Sequence, residues 1–242
     1  MTEPNFAPEH DRPVSYMERT RSYYLALGYS NPYTWAHFID VPFNSLQKPL
    51  HQMTLGLITT AVPYNPAKGE QGEGAPYNSY AKFYEPYALP TSVDPDLRIA
   101  HVGIDRKHAD MVDMACWFPI SAARKSVASK RIAKLANRFY GLPTNRSQRQ
   151  TLEIDAPLVL EMCQVDHVDA VILIPNCPIC HQSISLLARY LEDANIPTVI
   201  IGAAKDIVEY CGVPRFVFND FPLGNAAARP HDEDSQIGRA HV

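Results

Sequence analysis

Val171-Ile-Leu-Ile-Pro-Asn-Cys-Pro-Ile-Cys-His-Gln-Ser183 joins an uninterrupted apolar run to the start of a helical pattern. Residues 169–174 carry no polar alternation, which predicts a strand covered on both faces. Pro178 suits a first helical turn, where its missing N–H costs nothing, and the pattern then reads as a helix over 178–194. Downstream come a strand at 198–201, a short helix at 205–211 ended by Gly212, and a strand at 215–218. Upstream, 156–165 reads as a helix. Strand and helix alternating through short links imply parallel strands joined by crossovers. The fold class is therefore α/β, a parallel sheet in Rossmann- or flavodoxin-like layers.

The first half is less regular. Residues 14–28 read as a helix, with Met17, Tyr24 and Leu25 at helical spacing and Gly28 as its cap. Trp35, His37 and Phe38 fall in an irregular aromatic stretch at 29–49, where they are expected to line a surface or pocket. Residues 53–61 form a buried strand ending in Thr59-Thr60. A loop rich in Pro, Gly, Tyr and Asn covers 62–95, and loops of that length are usually functional or mobile. A short strand is expected at 97–102, followed by His101, Asp105, Arg106 and His108. A helix is expected at 120–136, with Arg124, Lys125, Lys130, Arg131 and Lys134 on a solvated face. The chain thus divides into a disordered lead-in (1–13), an N-terminal α/β half (14–150) and a C-terminal α/β half (151–236). The last six residues, 237–242, read as the translation of a sequencing adapter and are set aside. No internal sequence repeat is seen.

Composition narrows the function. The 242 residues are 46% hydrophobic and 20% charged, with a net charge of −4. That is an ordinary globular composition, and the charge argues against nucleic-acid binding. No apolar run approaches the length of a membrane span, and the N-terminus lacks the apolar core of a secretory signal. A cytoplasmic protein is expected. There Cys116, Cys163, Cys177, Cys180 and Cys211 are thiols by default, and five is an odd number for a purely structural disulfide set.

Cys177 comes after a buried strand and opens a helix. Ligands of open α/β sheets bind beyond the carboxyl ends of the strands. A helix start adds free N–H groups and the positive end of a dipole. Both favour a thiolate. Cys180, three residues on, is placed to meet Cys177 and close a disulfide. Four readings compete for the pair: a nucleophile with a resolving thiol, c-type haem attachment (Cys-x-x-Cys-His), structural zinc, and inert buried thiols. Haem needs export and a motif free of a buried strand. For zinc, Cys177, Cys180 and His181 give at most three ligands, too few for a closed site. A redox pair is the preferred reading, with no metal. His181 is either a charge or proton shuttle beside it or a polar residue packed at the turn. Asn176, Gln182 and Ser183 are turn or helix-start residues by default. Cys163, Cys211 and Cys116 read as core.

The chain also resembles the selenoprotein B family of the glycine, sarcosine, betaine and D-proline reductases, in particular its short single-chain bacterial members. The segments that carry the resemblance are Arg19-Thr-Arg-Ser-Tyr-Tyr-Leu-Ala-Leu-Gly-Tyr29, Asn31-Pro-Tyr33, Val41-Pro-Phe43 and Leu57-Ile-Thr-Thr-Ala61. Val168-Asp-Ala-Val-Ile-Leu-Ile174, the Cys177–Gln182 motif, Ile196-Pro-Thr198 and Asp220-Phe-Pro-Leu-Gly224 complete it. The resemblance implies that Cys177 stands where the family often carries selenocysteine, the nucleophile in reductive cleavage of a carbon–heteroatom bond. It implies a pyruvoyl group only on a partner subunit, since nothing in this chain identifies one. It also implies two pseudo-related halves, as in the two-cysteine aspartate/glutamate racemases. Here the first-half strand ends in Thr59-Thr60 without cysteine, so racemisation by opposed thiols is not expected.

The expected function is a thiol-dependent reductase with Cys177 as nucleophile and Cys180 as resolving thiol. Thr59, Thr60, Asn176 and Gln182 are candidates to bind a carboxylate or oxyanion. His101 and Asp105 are candidate acid–base groups, and Asp220 a candidate orienting group. No bound cofactor is expected. The electron donor would be an external dithiol or a thioredoxin-like protein. Partners would be a small-molecule substrate, a thiol donor protein or second reductase subunit, and another copy of the chain. The alternatives are a non-redox thiol-dependent lyase, hydrolase or desulfurase acting on a small carboxylated substrate, and a non-catalytic subunit of a reductase complex.

Overall fold

β1 (Thr54–Thr59) is buried at every position, and its neighbours in the sheet explain why. A computed structural model describes residues 12–31, 33–65, 67, 83–101, 103–232 and 235. Residues 1–11 of the lead-in, 66 and 68–82 of the expected 62–95 loop, and all of 237–242 lie outside them. On one side β1 pairs in parallel with β5 (Lys134–Leu135) and β6 (Arg138–Gly141). On the other it pairs in parallel with β7 (Ala170–Ile174), with β8 (Thr198–Gly202) and β9 (Phe216–Phe218) beyond it. β3 (Tyr87–Pro90) closes the β6 edge and runs antiparallel, with Pro90 at an edge where a missing N–H is tolerated. The order is β3-β6-β1-β7-β8-β9, a mostly parallel sheet as the sequence predicted.

Alternation along the strands sorts two apolar layers. Ile58, Tyr140, Val171, Leu173 and Ile200 face one core, with Val159 of α4 (Ala156–Val165), Leu187 of α5 (Pro178–Asp193) and Val208 of α6 (Lys205–Cys211). Leu57, Phe139 and Ile174 face the other, with Trp117, Phe118 and Ile120 of α2 (Ile120–Ala128). The start of α5 reaches this second layer through Cys177, Ile179 and Cys180.

α5 is also tied from outside by the aromatic stretch at 33–44. Gln182 Oε1 accepts from Ala36 N at 2.6 Å, Arg189 Nη1 donates to Asp40 O at 2.7 Å, and Glu192 Oε2 accepts from Asn44 N at 2.7 Å. Residues 182 and 189 are two helical turns apart, so one extended strap can reach both. Trp35 packs edge-on against Tyr33, while His37 stacks on Tyr210 and Phe38 lies under the Arg189 guanidinium.

Several expectations needed correction. The helix expected at 120–136 ends at Ala128. Lys130 takes a left-handed φ of 59°, Arg131 N and Ile132 N both donate to Ser126 O, and Lys134–Leu135 then joins the sheet as β5. Arg124 is not simply solvated, because it donates to Thr91 O and Val93 O and pairs with Asp94. The strand expected at 97–102 shrinks to β4 (Leu97–Arg98). It pairs with β2 (Val62–Pro63) in a separate two-stranded sheet. β3 and β6 were not read from the sequence. α4 is preceded by α3 (Gln148–Gln150) and a π-helical turn at Thr151–Asp155, also unforeseen. The helix expected at 14–28 is present as α1 (Tyr16–Ala26), with Gly28 at φ 83° beyond its end. Thr20 is its one buried residue, so its apolar side chains serve a cleft wall more than a core.

Candidate functional site

The chain leaves β1 toward β6 and leaves β7 toward β8, so the strand order reverses between β1 and β7. Ligands of open α/β sheets bind at such a crevice. Thr59 aligns with Ile174 in the register, which brings Thr60 beside Asn176. The two strand ends are stitched together where Asn176 N donates to Thr60 Oγ1 at 3.1 Å. Thr59 Oγ1 accepts from Ala61 N at 3.1 Å, and Tyr87 Oη donates to Ala61 O at 2.8 Å.

Cys177 is the N-cap of α5. Its backbone is extended, and its Sγ accepts from Cys180 N at 3.1 Å, so an otherwise unpaired amide of the first helical turn points at sulfur. Cys177 and Cys180 are joined by a disulfide, with Cα atoms 4.8 Å apart. Thr144 Oγ1 donates to Cys180 Sγ at 3.4 Å. Thr144 lies just past the end of β6, so three adjacent strand ends contribute to the surroundings of the pair.

Cys177 lies in the wall of a cleft of about 990 Å³. His101, Gly103 and Ile104 close one side. Gly103 packs so tightly over the helix start that a Cβ there would stand 2.9 Å from Pro178 Cδ. α1 closes another side through Tyr16, Arg19 and Tyr24. Among the described residues, the lining carries four permanent cations, Arg19, Arg106, Lys107 and Arg146, against one carboxylate, Asp105. The chain as a whole is acidic, so this local excess of positive charge stands out. Arg146 lies over the Tyr24 ring, 4.3 Å from its centroid.

His101 and Asp105, both foreseen, line this cleft. A ring nitrogen of His101 and the two sulfurs lie within 4.8 Å of one another. Asp105 is partly buried, which raises its pKa. Hydrogen bonds from His108 and from the Lys107 and His108 amides outweigh burial and hold it below the usual carboxylate range. Asn176 is fully buried, and neither end of its side-chain amide has a hydrogen-bond partner among the described residues.

Other foreseen residues face elsewhere. His181 is fully buried, and both ring nitrogens are engaged. Nδ1 lies 2.7 Å from Cys177 O, and Nε2 accepts from Ala203 N at 3.1 Å and Ala204 N at 3.2 Å. That pattern fixes a neutral ring with its proton on Nδ1. Burial pushes its pKa down to about 4. The ring clamps the start of α5 to the end of β8, and a Cβ on Gly202 would stand 2.6 Å from Nε2. Gln182 holds Ala36 and the Tyr33 hydroxyl. Asp220 is exposed beyond β9, while Leu223 of the adjoining Phe-Pro-Leu-Gly segment lines the cleft and accepts from Asp105 N at 2.7 Å.

The remaining cysteines are buried, as expected. Burial raises Cys163 and Cys211 to about 12, and raises Cys116 with help from the Asp113 carboxylate. Sequence reasoning did not find Thr144, Arg146 or Lys107. Thr144 and Arg146 come after a strand that was itself missed. Arg19 was visible only within a segment of the family resemblance.

Among curated proteins, the chain is similar to D-proline reductase subunit gamma of Acetoanaerobium sticklandii, 31% identical over 144 residues. The match covers 58% of this chain and 58% of that protein, so the chain spans under two thirds of its relative. This similarity bears out the resemblance to the selenoprotein B reductases. No family model matches the chain, and no solved structure does.

Proposed function

We propose that this chain is the thiol-bearing component of a reductase that cleaves a carbon–heteroatom bond of a small anionic substrate. The carrying observation is that Cys177 combines three features: a place in the cleft wall, a helix-start amide on its sulfur, and a bond to Cys180. The similarity to a D-proline reductase subunit supports the reaction class. The cationic lining supports a carboxylate or another anion as the part of the substrate that is held.

In the reaction, Cys177 thiolate displaces the heteroatom from an activated carbon and forms a C–S bond, and the leaving group takes the bonding pair and a proton. Cys180 thiolate then attacks Cys177 sulfur. The C–S bond breaks, carbon keeps the electron pair and takes a proton, and the Cys177–Cys180 disulfide is left. His101 is suited to supply that proton. Two electrons pass from the dithiol to the substrate, and an external dithiol or thioredoxin-like protein returns them. His181 acts as a positioning residue, because its neutral ring has both nitrogens committed to backbone. A second subunit is the partner suggested by the relative's description as a subunit, and the family resemblance implies that any group holding an amino substrate sits there.

The test is a reduced sample offered D-proline and a panel of small α-substituted carboxylic acids. Product should appear with the loss of two thiols per turnover, and Cys180→Ser should accumulate a covalent adduct on Cys177 by mass spectrometry. Turnover without thiol loss would point to non-redox thiol chemistry. Full activity in both single serine variants would discard the mechanism.

A further inference from the structure

We infer that, once the Cys177–Cys180 bond is reduced, both sulfurs and a ring nitrogen of His101 bind one zinc-class divalent cation, leaving its fourth position to the cleft. The local sequence Cys-x-x-Cys-His suggests His181 as the third ligand, but that ring is committed to Cys177 O and to the Ala203 and Ala204 amides. His101 takes its place from a segment 76 positions upstream of Cys177, folded across the helix start. The three ligand atoms already lie within 4.8 Å of one another, and no other such group of His, Cys, Asp or Glu converges among the described residues.

The donor set decides the class of ion. Two thiolates and an imidazole select zinc-like cations over magnesium or calcium, which prefer oxygen. Three protein ligands with a fourth position open is the pattern of reactive rather than structural zinc sites. His101 and Cys177 both line the cleft, so solvent or a substrate anion has access to that position. Thr144 and the Cys180 amide already hydrogen-bond the sulfurs, as outer partners of metal ligands do. Binding displaces to solvent the thiol protons that the pair still carries. Metal and disulfide need the same two sulfurs, so occupancy excludes oxidation. The cation would hold the dithiol in reserve and block it as a nucleophile until removed.

The test uses the full chain, reduced with a phosphine under anaerobic conditions, with two free thiols at the pair confirmed by titration. Cobalt(II) is the probe. One ion per chain should bind, with thiolate-to-cobalt charge-transfer absorption, and zinc should displace it. Cys177→Ser and Cys180→Ser should each lose much of that absorption. His101→Ala should weaken binding more than the roughly 10- to 100-fold expected from losing an outer partner. His101→Gln serves as a second variant if the first fails to fold by circular dichroism. No charge-transfer band on the fully reduced protein would overturn the site. Undiminished affinity in a folded His101 variant would overturn the ligand assignment. Either result would leave alkylation of the metal-free thiols unchanged, so it would not be mistaken for failure of the reductase mechanism.

Discussion

β1 and β7 lie side by side, run in the same direction and end at the same edge of the sheet, yet only one ends in a cysteine. β1 ends in Thr59-Thr60, whose hydroxyl oxygens accept from Ala61 N and Asn176 N. β7 ends in Asn176-Cys177, and Pro178 starts a sixteen-residue helix at once. The difference lies in the segment each strand runs into. A helix start aims amides at the residue before it, whereas β1 continues into Ala61 and β2 and offers no such cap. Two strand ends in one register can therefore divide the work: one stiffens the crevice floor and, in the proposed mechanism, the other carries the nucleophile.

The largest effect that separates the two ends is on turnover. Cys177→Ser should cut activity by at least about a thousandfold, as loss of a nucleophile does. Moving a thiol to the other end, as Thr60→Cys in a Cys177→Ser background, should not restore it, because no helix start faces position 60. Recovery of adduct formation at position 60 in that double variant would break the comparison. Steady-state rates and mass spectrometry of the two variants decide it.

The next effect is on stability and concerns the clamp that β1 lacks. His181 titrates near 6.5 when unfolded and about 4 when folded. Between those values the unfolded chain holds the extra proton, so stability rises with pH there. The contribution is complete above about pH 6.5 and is lost as pH falls toward 4. It amounts to something on the order of 3 kcal/mol. Denaturant midpoints across that range should show this slope in the wild type and a flatter one in His181→Asn.

The smallest effect is at the stitch itself. Thr60→Val keeps the shape and removes the acceptor of Asn176 N, which should cost about 1–3 kcal/mol for a buried amide left unpaired. Equal unfolding midpoints for the variant and the wild type would mean that Thr60 does not hold the two ends together.

The C-terminal half was readable because each local signal agreed with its neighbours. Apolar runs without alternation became β7 and β8, Pro178 opened α5, and Gly212, at φ 83°, closed α6. The first half hid its strands. β6 is four residues long and β5 only two, and Lys134 and Arg138 make both look polar. β5 was absorbed into a helix whose basic residues kept the period going past Ala128. β3 sat in a loop because Pro90 and its partly exposed residues gave no core signal. In the site, the pair itself was legible from spacing alone. The sequence left open whether His181 shuttles protons or packs at the turn, and the positions of the Ala203 and Ala204 amides, set by β8, bear on that choice. The cationic lining was invisible because Arg19, Arg106, Lys107 and Arg146 come from three separate segments that only tertiary structure brings to one cleft.

The ionisation of Cys177 is most directly read from its alkylation rate across a pH series, in metal-free, fully reduced Cys180→Ser protein, with Cys163 and Cys211 followed in the same digests. A midpoint at Cys177 well below the about 8.5 of an ordinary thiol is expected, with the two helix-buried thiols unreactive throughout. A midpoint at or above that of an ordinary thiol, or equal reaction at Cys163, would contradict the assignment of the nucleophile to the end of β7.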